Sequence, residues 1–344
     1  MQLTIADDST YVQPWDTVAM GERFSAHVMT RDVIAELEAL HPSNPFVTAQ
    51  YFAARERLGF EVWVAGVRGF GSDLSFGCGL FFKQGLMNLE LEIVSLPSIA
   101  SDSVFWPGLL QLCAHRAVTQ LTLDTYGSPA GTTIPVLATH ELRRARTEYV
   151  VDLRGDFEAR MSPEHRTAVD RARRQGMTTV RRRSLEALRS HLSIVNLPVI
   201  ERGETAEHPT RLSDKIALLD SEAGELVQAL LNGKVLASTL MMHSATGAFY
   251  QSGGNAPSNE SSDAAHFLLH TTLLELRAEG IMCVSLGGAL DGSAPAKFRL
   301  GFGATPRQLE ASICDVGSTW KRRATQALAL ARFSPLRLRR MIGF

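Results

Sequence analysis

Apolar and polar positions along this chain run through two similar rounds. In the first, Glu61-Val-Trp-Val-Ala-Gly, Phe76-Gly-Cys-Gly-Leu-Phe-Phe and Leu89-Glu-Leu-Glu-Ile-Val have strand composition. A helix is expected over about 106–119, opened by Trp106-Pro107, with Leu110, Cys113, Ala114 and Ala117 on one face. A short strand, Leu121-Thr-Leu-Asp-Thr, follows and ends at Tyr126-Gly127.

The second round repeats that order. Glu225-Leu-Val-Gln-Ala-Leu-Leu and Val235-Leu-Ala-Ser-Thr-Leu-Met-Met flank Asn232-Gly233, a dipeptide that supplies the positive φ angles of a tight hairpin turn. Ala248-Phe-Tyr-Gln is the next strand. Residues 263–279 are expected to be helical, with Asp263 as cap and Ala265, Leu268, Leu269, Thr272 and Leu276 in one stripe. Gly280 ends that helix and Ile281-Met-Cys-Val-Ser-Leu forms the returning strand. A further helix at 162–176 opens on Ser162-Pro163-Glu164, a cap, a first-turn proline and an acidic first turn. The repeat predicts a mixed α/β protein of two copies of one domain, each a mostly antiparallel sheet flanked by helices, joined near 145–155. The expected units are 1–150, 151–318 and a basic helical tail over 319–344.

At 344 residues, with 45% hydrophobic and 21% charged residues, the chain is long enough for two packed domains. It has no secretory leader pattern and no apolar run near the ~20 residues that cross a bilayer. Cys78, Cys113, Cys283 and Cys314 are widely spaced, form no paired metal motif and fit reduced thiols in a cytoplasmic protein. His266 and His270 stand four apart, as metal ligands do, but without an evident third ligand beyond Asp263; no metal is expected. There is no Gly-x-Ser-x-Gly element, Walker loop or dinucleotide fingerprint.

The net charge of −1 conceals two basic segments. Counted over the sequence, residues 141–183 carry +5 and 316–344 carry +7, against −7 over 1–140 and −6 over 184–315. Arg171, Arg173, Arg174, Arg181, Arg182 and Arg183 gather in the first, and Lys321, Arg322 and Arg323 open the second. Such clusters suit phosphate, and equally suit a solvated face; the acidic balance elsewhere argues against general nucleic-acid affinity and against DNA.

Tyr250-Gln-Ser-Gly-Gly254, a helix, Val284-Ser-Leu-Gly-Gly288 and Phe298-Arg-Leu-Gly-Phe-Gly303 follow in the order strand, glycine loop, helix, strand, glycine loop and a Phe-basic-x-x-Phe-Gly element. That order resembles the catalytic half of the Fem-type transferases, which have two tandem GNAT-like (acetyltransferase-fold) domains. The likeness covers roughly 150–312 best, with Trp15 and Asn44-Pro-Phe-Val-Thr-Ala-Gln-Tyr51 as weaker landmarks. Known relatives transfer aminoacyl groups from charged tRNA to an amine of a peptide or small molecule, and others in the wider superfamily use acyl-CoA.

The resemblance implies a cleft shared by the two domains and places the donor ester near Tyr250, Ser252, Gly253, Gly254, Asn255, Lys297, Phe298 and Arg299. The family commonly has Lys directly after the Phe of its Phe-Lys-x-x-Phe-Gly element; here that position is Arg299, and Lys297 lies two residues earlier. A fixed cation there stabilises the tetrahedral oxyanion of ester aminolysis or holds a phosphate of the donor, and an arginine cannot serve as the base. Tyr250 and Ser252 are candidates to orient the ester. The stretch 252–262 contains no Arg or Lys and carries Glu260, which disfavours a pyrophosphate cradle. The expected activity is therefore aminoacyl-tRNA-dependent amide formation on a peptide or small-molecule amine, without a bound cofactor. The alternatives are an N-acyltransferase using acyl-CoA or an acyl carrier, and a non-catalytic RNA-binding protein on a transferase fold.

Overall fold

The computed structural model describes residues 18–19, 22–69, 74–85, 88–201, 212–257 and 263–317. Trp15, the stretch 258–262 and the tail with Lys321, Arg322 and Arg323 lie outside the described residues.

In chain order the first half comprises β1 (Val18–Ala19), β2 (Glu22–Val28), α1 (Arg31–Leu40), α2 (Ala49–Arg57), β3 (Glu61–Arg68), β4 (Leu74–Gln84), β5 (Leu89–Ile93), α3 (Phe105–His115) and β6 (Gln120–Asp124). Strand β7 (Glu141–Asp152) leads to α4 (Pro163–Arg174), β8 (Thr178–Arg182), α5 (Leu185–Glu201), α6 (Leu212–Asp220), β9 (Gly224–Leu231) and β10 (Lys234–His243). The chain continues through β11 (Gly247–Asn255), α7 (Ala264–Ala278), β12 (Cys283–Ala289), α8 (Ala294–Gly301) and β13 (Thr305–Asp315).

The described strands form one sheet in the order β1-β2-β3-β4-β5-β6-β13-β7-β12-β11-β10-β9-β8. Only β5 with β6 and β11 with β12 run parallel, each pair joined through one helix, α3 or α7. That is the repeat expected from the hydrophobic pattern. The junction expected near 145–155 falls inside β7, which pairs with β12 and β13, both from the later part of the chain. Strand β13 in turn pairs with β6 of the first half. The returning strand β6 is thus flanked by the last described strand, and the returning strand β12 by β7 from the middle of the chain.

Local sequence explains several boundaries. Asn232 and Gly233 take φ of 51° and 77°, the hairpin geometry their types favour. Ser162 accepts the backbone N–H of His165 at 3.2 Å and starts α4 on Pro163. Asp263 stands at the N-cap of α7 but makes no capping bond, contrary to expectation. Its two carboxylate oxygens instead accept Nε and Nη2 of Arg171, each at 2.8 Å, and tie α7 to α4.

Two cores gather around α3, where Cys314 of β13 joins first-half residues, and around α4 and α7. The third is shared. It packs Phe46, Tyr51, Phe52 and Phe81 of the first half with Leu218, Leu240, Met242 and Phe249 of the second. The Phe46 and Phe249 rings meet at 4.9 Å, edge to face.

Candidate active site

Strands β11 and β12 pair over only three positions, Gly247 with Cys283, Ala248 with Val284 and Phe249 with Ser285. Beyond them β11 stays with β10 and β12 with β7, so the two parallel strands part. Gly287, at φ 73°, sits in an irregularity of β12 between Ser285 and Gly288. The glycines expected to form a loop after this strand therefore lie inside it.

Helix α8 brings Arg299 to this place. The Phe-Arg-Leu-Gly-Phe-Gly element is helical up to Gly301, capped by Ser293, whose hydroxyl accepts the Ala296 N–H at 3.3 Å. Arg299 is half-buried, donates Nη1 to the Gly288 carbonyl at 2.9 Å and lies 5.9 Å from the centre of the Tyr149 ring. Burial draws its pKa down from the ordinary value, with Tyr250 and Tyr149 acting in the opposite sense. It remains a cation at neutral pH. Tyr149 donates its hydroxyl to Asp291 Oδ1 at 3.1 Å.

The remaining donor-site candidates separate. Tyr250 packs against the core under α4 and α7, and burial pushes its phenol up to about 12. Gly253 lies beside it: a Cβ there would stand 2.2 Å from the Tyr250 hydroxyl oxygen, so only glycine fits. Ser252, Gly253, Gly254 and Asn255 belong to β11, paired with Leu240, Thr239, Ser238 and Ala237. They do not form the expected loop, because β10 supplies hydrogen-bonding partners along their whole length. Lys297 is exposed. Phe298 is half-buried in a cluster with His165, His266 and Phe302, and its carbonyl faces His165 Nε2 at 2.9 Å. Phe298 thus holds α8 in place. His270 Nε2 faces Glu158 Oε1 at 2.8 Å.

A second group of polar side chains was not legible in the sequence. The β10–β11 register shifts so that Leu240 faces Ser252 and Met241 faces Tyr250, leaving Gln251 as a bulged residue. A bulge re-aims side chains, and here Gln251 and Ser252 both reach Lys215 of α6. Lys215 Nζ donates to Gln251 Oε1 at 2.8 Å and to Ser252 Oγ at 2.5 Å. His191 of α5 places Nε2 3.0 Å from Ser252 Oγ and Nδ1 3.0 Å from Ser238 Oγ. Both Lys215 and His191 are fully buried. Burial, opposed by Asp214, lowers the Lys215 pKa to about 8; burial and then the Lys215 charge lower His191 to about 3. The available signal was a lysine in phase with Leu218 and Leu219 on a short apolar helix.

Lys215 and Gln251 form part of the wall of a cleft of ≈ 670 Å³ between the halves. The first half lines it with Phe46, Tyr51, Arg55, Phe60, Phe81, Lys83, Glu90 and Glu92. The Arg55 guanidinium sits 3.7 Å from the Phe60 ring centre and is paired with Glu92.

The arginines expected to contact tRNA fall into two groups. Arg171 is engaged by Asp263, and Arg181 by Glu225, Glu275 and Glu279 at 3.2, 3.1 and 2.7 Å. These two are neutralised within the protein, which sets them apart from a phosphate-binding cluster. Arg173, Arg174, Arg182 and Arg183 are exposed. Arg173 meets Asp170 at 3.2 Å on the same helix, an exposed pair that holds little energy. All four cysteines are unpaired. Among the described residues no helix is long and apolar enough to cross a membrane.

No protein-family model matches the sequence, and no curated protein matches it. Solved structures do. The crystal structure of FemX superposes with a TM-score of 0.62 at 12% identity, over 83% of this chain and 96% of that one. A conserved protein of unknown function from Bacteroides thetaiotaomicron VPI-5482 gives 0.56 at 9% identity, over 84% and 98%. L-PGS from Bacillus licheniformis gives 0.52 at 10% identity, over 85% and 94%. With its two rounds of antiparallel strands, helix and parallel returning strand, the chain has the Fem-type double-GNAT fold.

Proposed function

We propose that this chain is an acyltransferase that joins a donor acyl ester to an amine, with aminoacyl-tRNA as donor and a peptide or small molecule as acceptor. The observation that carries this reading is Arg299. It is a half-buried cation, anchored to the Gly288 carbonyl where the parallel strands β11 and β12 part. A donor carbonyl held there meets a fixed positive charge as its oxygen becomes an oxyanion. An activated ester and a neutral amine react downhill, so positioning supplies much of the rate.

A tRNA donor is favoured over CoA by the surroundings of α7. Asp263 sits at the start of that helix, and the preceding Gly253-Gly254 pair is strand, which suits a pyrophosphate poorly. The exposed Arg173, Arg174, Arg182 and Arg183 are the described residues offered to the tRNA backbone. The test is filter binding with charged tRNA pools at two salt concentrations, with CoA thioesters tried in parallel by thermal shift. Salt-sensitive binding that prefers charged over uncharged tRNA is expected. Stabilisation by a thioester without tRNA binding overturns the donor assignment and leaves an acyl-CoA-dependent enzyme.

A further inference from the structure

The Lys215 group shares Ser252 with the donor-site candidates and forms part of the wall of the cleft between the halves. We propose that Lys215 is the proton acceptor of that cleft, taking from an incoming ammonium the proton it must lose before it attacks the donor ester. This rests on the acyl-transfer reading above.

The geometry is unusual for a structural lysine. A buried ammonium is normally paired with a carboxylate. Among the described residues Lys215 has only neutral oxygens, Gln251 Oε1 and Ser252 Oγ, within hydrogen-bond distance. An ammonium has three N–H donors and those oxygens use two. The charged groups on the elements around it are otherwise engaged or set apart. On α2, Arg55 pairs with Glu92 of β5, and Arg57 with Asp220 of α6. On β9, Glu225 pairs with Arg181 and His243. Lys83 of β4 stands over the Phe60 ring, and Glu90 of β5 accepts from Asn88. Asp214, next to Lys215 on α6, is the carboxylate that favours its charged form. The balance leaves the lysine easily deprotonated, at about pH 8.

The Ser252–His191–Ser238 chain serves both charge states. When Lys215 is an ammonium it donates to Ser252 Oγ, Ser252 donates to His191 Nε2, and His191 Nδ1–H donates to Ser238. When Lys215 is neutral, Ser252 turns its hydroxyl proton to the amine, His191 Nε2–H donates to Ser252, and Ser238 donates to Nδ1. Both ring nitrogens of His191 keep a hydroxyl partner in either state, and His191 stays neutral in both, consistent with its pKa of about 3; the third N–H of the ammonium has no partner among the described residues.

The step balances. The acceptor R–NH3+ gives one proton to Lys215–NH2. The freed R–NH2 forms the new C–N bond to the acyl carbon, and the ester C–O bond breaks. The leaving alkoxide takes the second nitrogen proton, giving amide and alcohol. Lys215–NH3+ returns its proton to solvent.

Two variants and one probe test this. Lys215→Met removes the amine; Lys215→Arg keeps the charge but cannot accept a proton. The full chain is pulsed with acetic anhydride from pH 6 to 10, and Lys215 acetylation is read by peptide mass spectrometry. Half-maximal reactivity near pH 8 is expected. Turnover by the wild type should rise through the same pH, and both variants should lose about 10²-fold in kcat with KM little changed. Their melting temperatures report whether they remain folded. A Lys215 that stays unlabelled through pH 10, or a Lys215→Arg variant with wild-type rate and pH profile, overturns the role of Lys215 alone. Absence of wild-type turnover with every charged tRNA and thioester overturns the acyl-transfer reading and this role with it.

Discussion

Two cations in this protein are treated in opposite ways. Arg299 is half-buried and keeps its charge, because a backbone carbonyl accepts from it and two phenols lie near. Removing it should leave the fold intact and lower kcat about 10²–10³-fold, the usual loss of one oxyanion donor; Arg299→Lys should recover part of the rate. Steady-state kinetics on both variants check this, and an unchanged Arg299→Ala kcat would refute the oxyanion role. Lys215 is fully buried without a carboxylate partner among the described residues, and its stability effect depends on pH. Below about 8 the folded and unfolded chains both hold its proton, and folding bears the penalty of burying it. Between about 8 and its ordinary 10.5 only the unfolded chain is protonated, so stability rises with pH. The shift corresponds to ~3 kcal/mol. Lys215→Met should therefore melt higher than wild type at pH 7 and gain less at pH 10, in paired urea titrations. An equal gain at both would mean that the lysine is not buried as a charge. His191 acts in a different window: its pKa is depressed to about 3, so it stays neutral in the fold while the unfolded chain protonates, and stability falls as pH drops from 6.5 toward 3.

At the level of elements, α8 decides where Arg299 points, and His165 decides where α8 sits. The His165 ring lies between Ser162 Oγ and the Phe298 carbonyl, and a Cβ on Gly301 would stand 2.2 Å from its Cε1. The ring is held on both sides and has little room to yield. Gly301→Ala should cost about 1–3 kcal/mol, as overpacking does, and should lower kcat although residue 301 touches no substrate. Thermal melts and kinetics on that one variant test both effects, and wild-type behaviour would mean that α8 shifts freely. The same helix shows where the sequence was silent. The β9–β10 hairpin and α4 were legible because Asn232-Gly233 and Ser162-Pro163 encode their geometry locally. Helix α8 carries Ser293 and a first-turn Pro295 as local marks, but it is only eight residues long, includes a glycine and buries only Ala296 and Gly301. The Gly253-Gly254 stretch looked like a loop because glycine weakens a strand, whereas pairing with β10 overrides that preference. The Arg299 element was found by its motif. The Lys215–Ser252–His191 group joins three elements through a bulge, a register shift that no local pattern in β11 announces.

For the molecule as a whole, the two halves are joined twice. Strand β13 inserts between β6 and β7, so the sheet of the first half is completed by the last described strand. The shared core then closes the opposite route, with Phe46 meeting Tyr51, Tyr126 and Phe249 at 5.3, 5.7 and 4.9 Å. Two halves linked in this way should unfold together, although each repeats a whole domain pattern. Trp63 and Trp106 report on the first half, and hydrogen exchange along β9, β10 and β11 reports on the second. Phe46→Ala should cost about 3–5 kcal/mol, as large aromatic deletions do, and should lower the denaturant midpoint of both signals equally. A variant that lowers the tryptophan midpoint alone would show that the halves are separate folding units. The outcome bears on chemistry, because the cleft has Arg55, Phe60 and Phe81 on one wall and Lys215 and Gln251 on the other. If one transition governs both walls, the distance from an acceptor bound by the first half to the amine of Lys215 is set by the shared core. Phe46→Ala should then reduce turnover of the folded enzyme below its denaturation range as well as its stability.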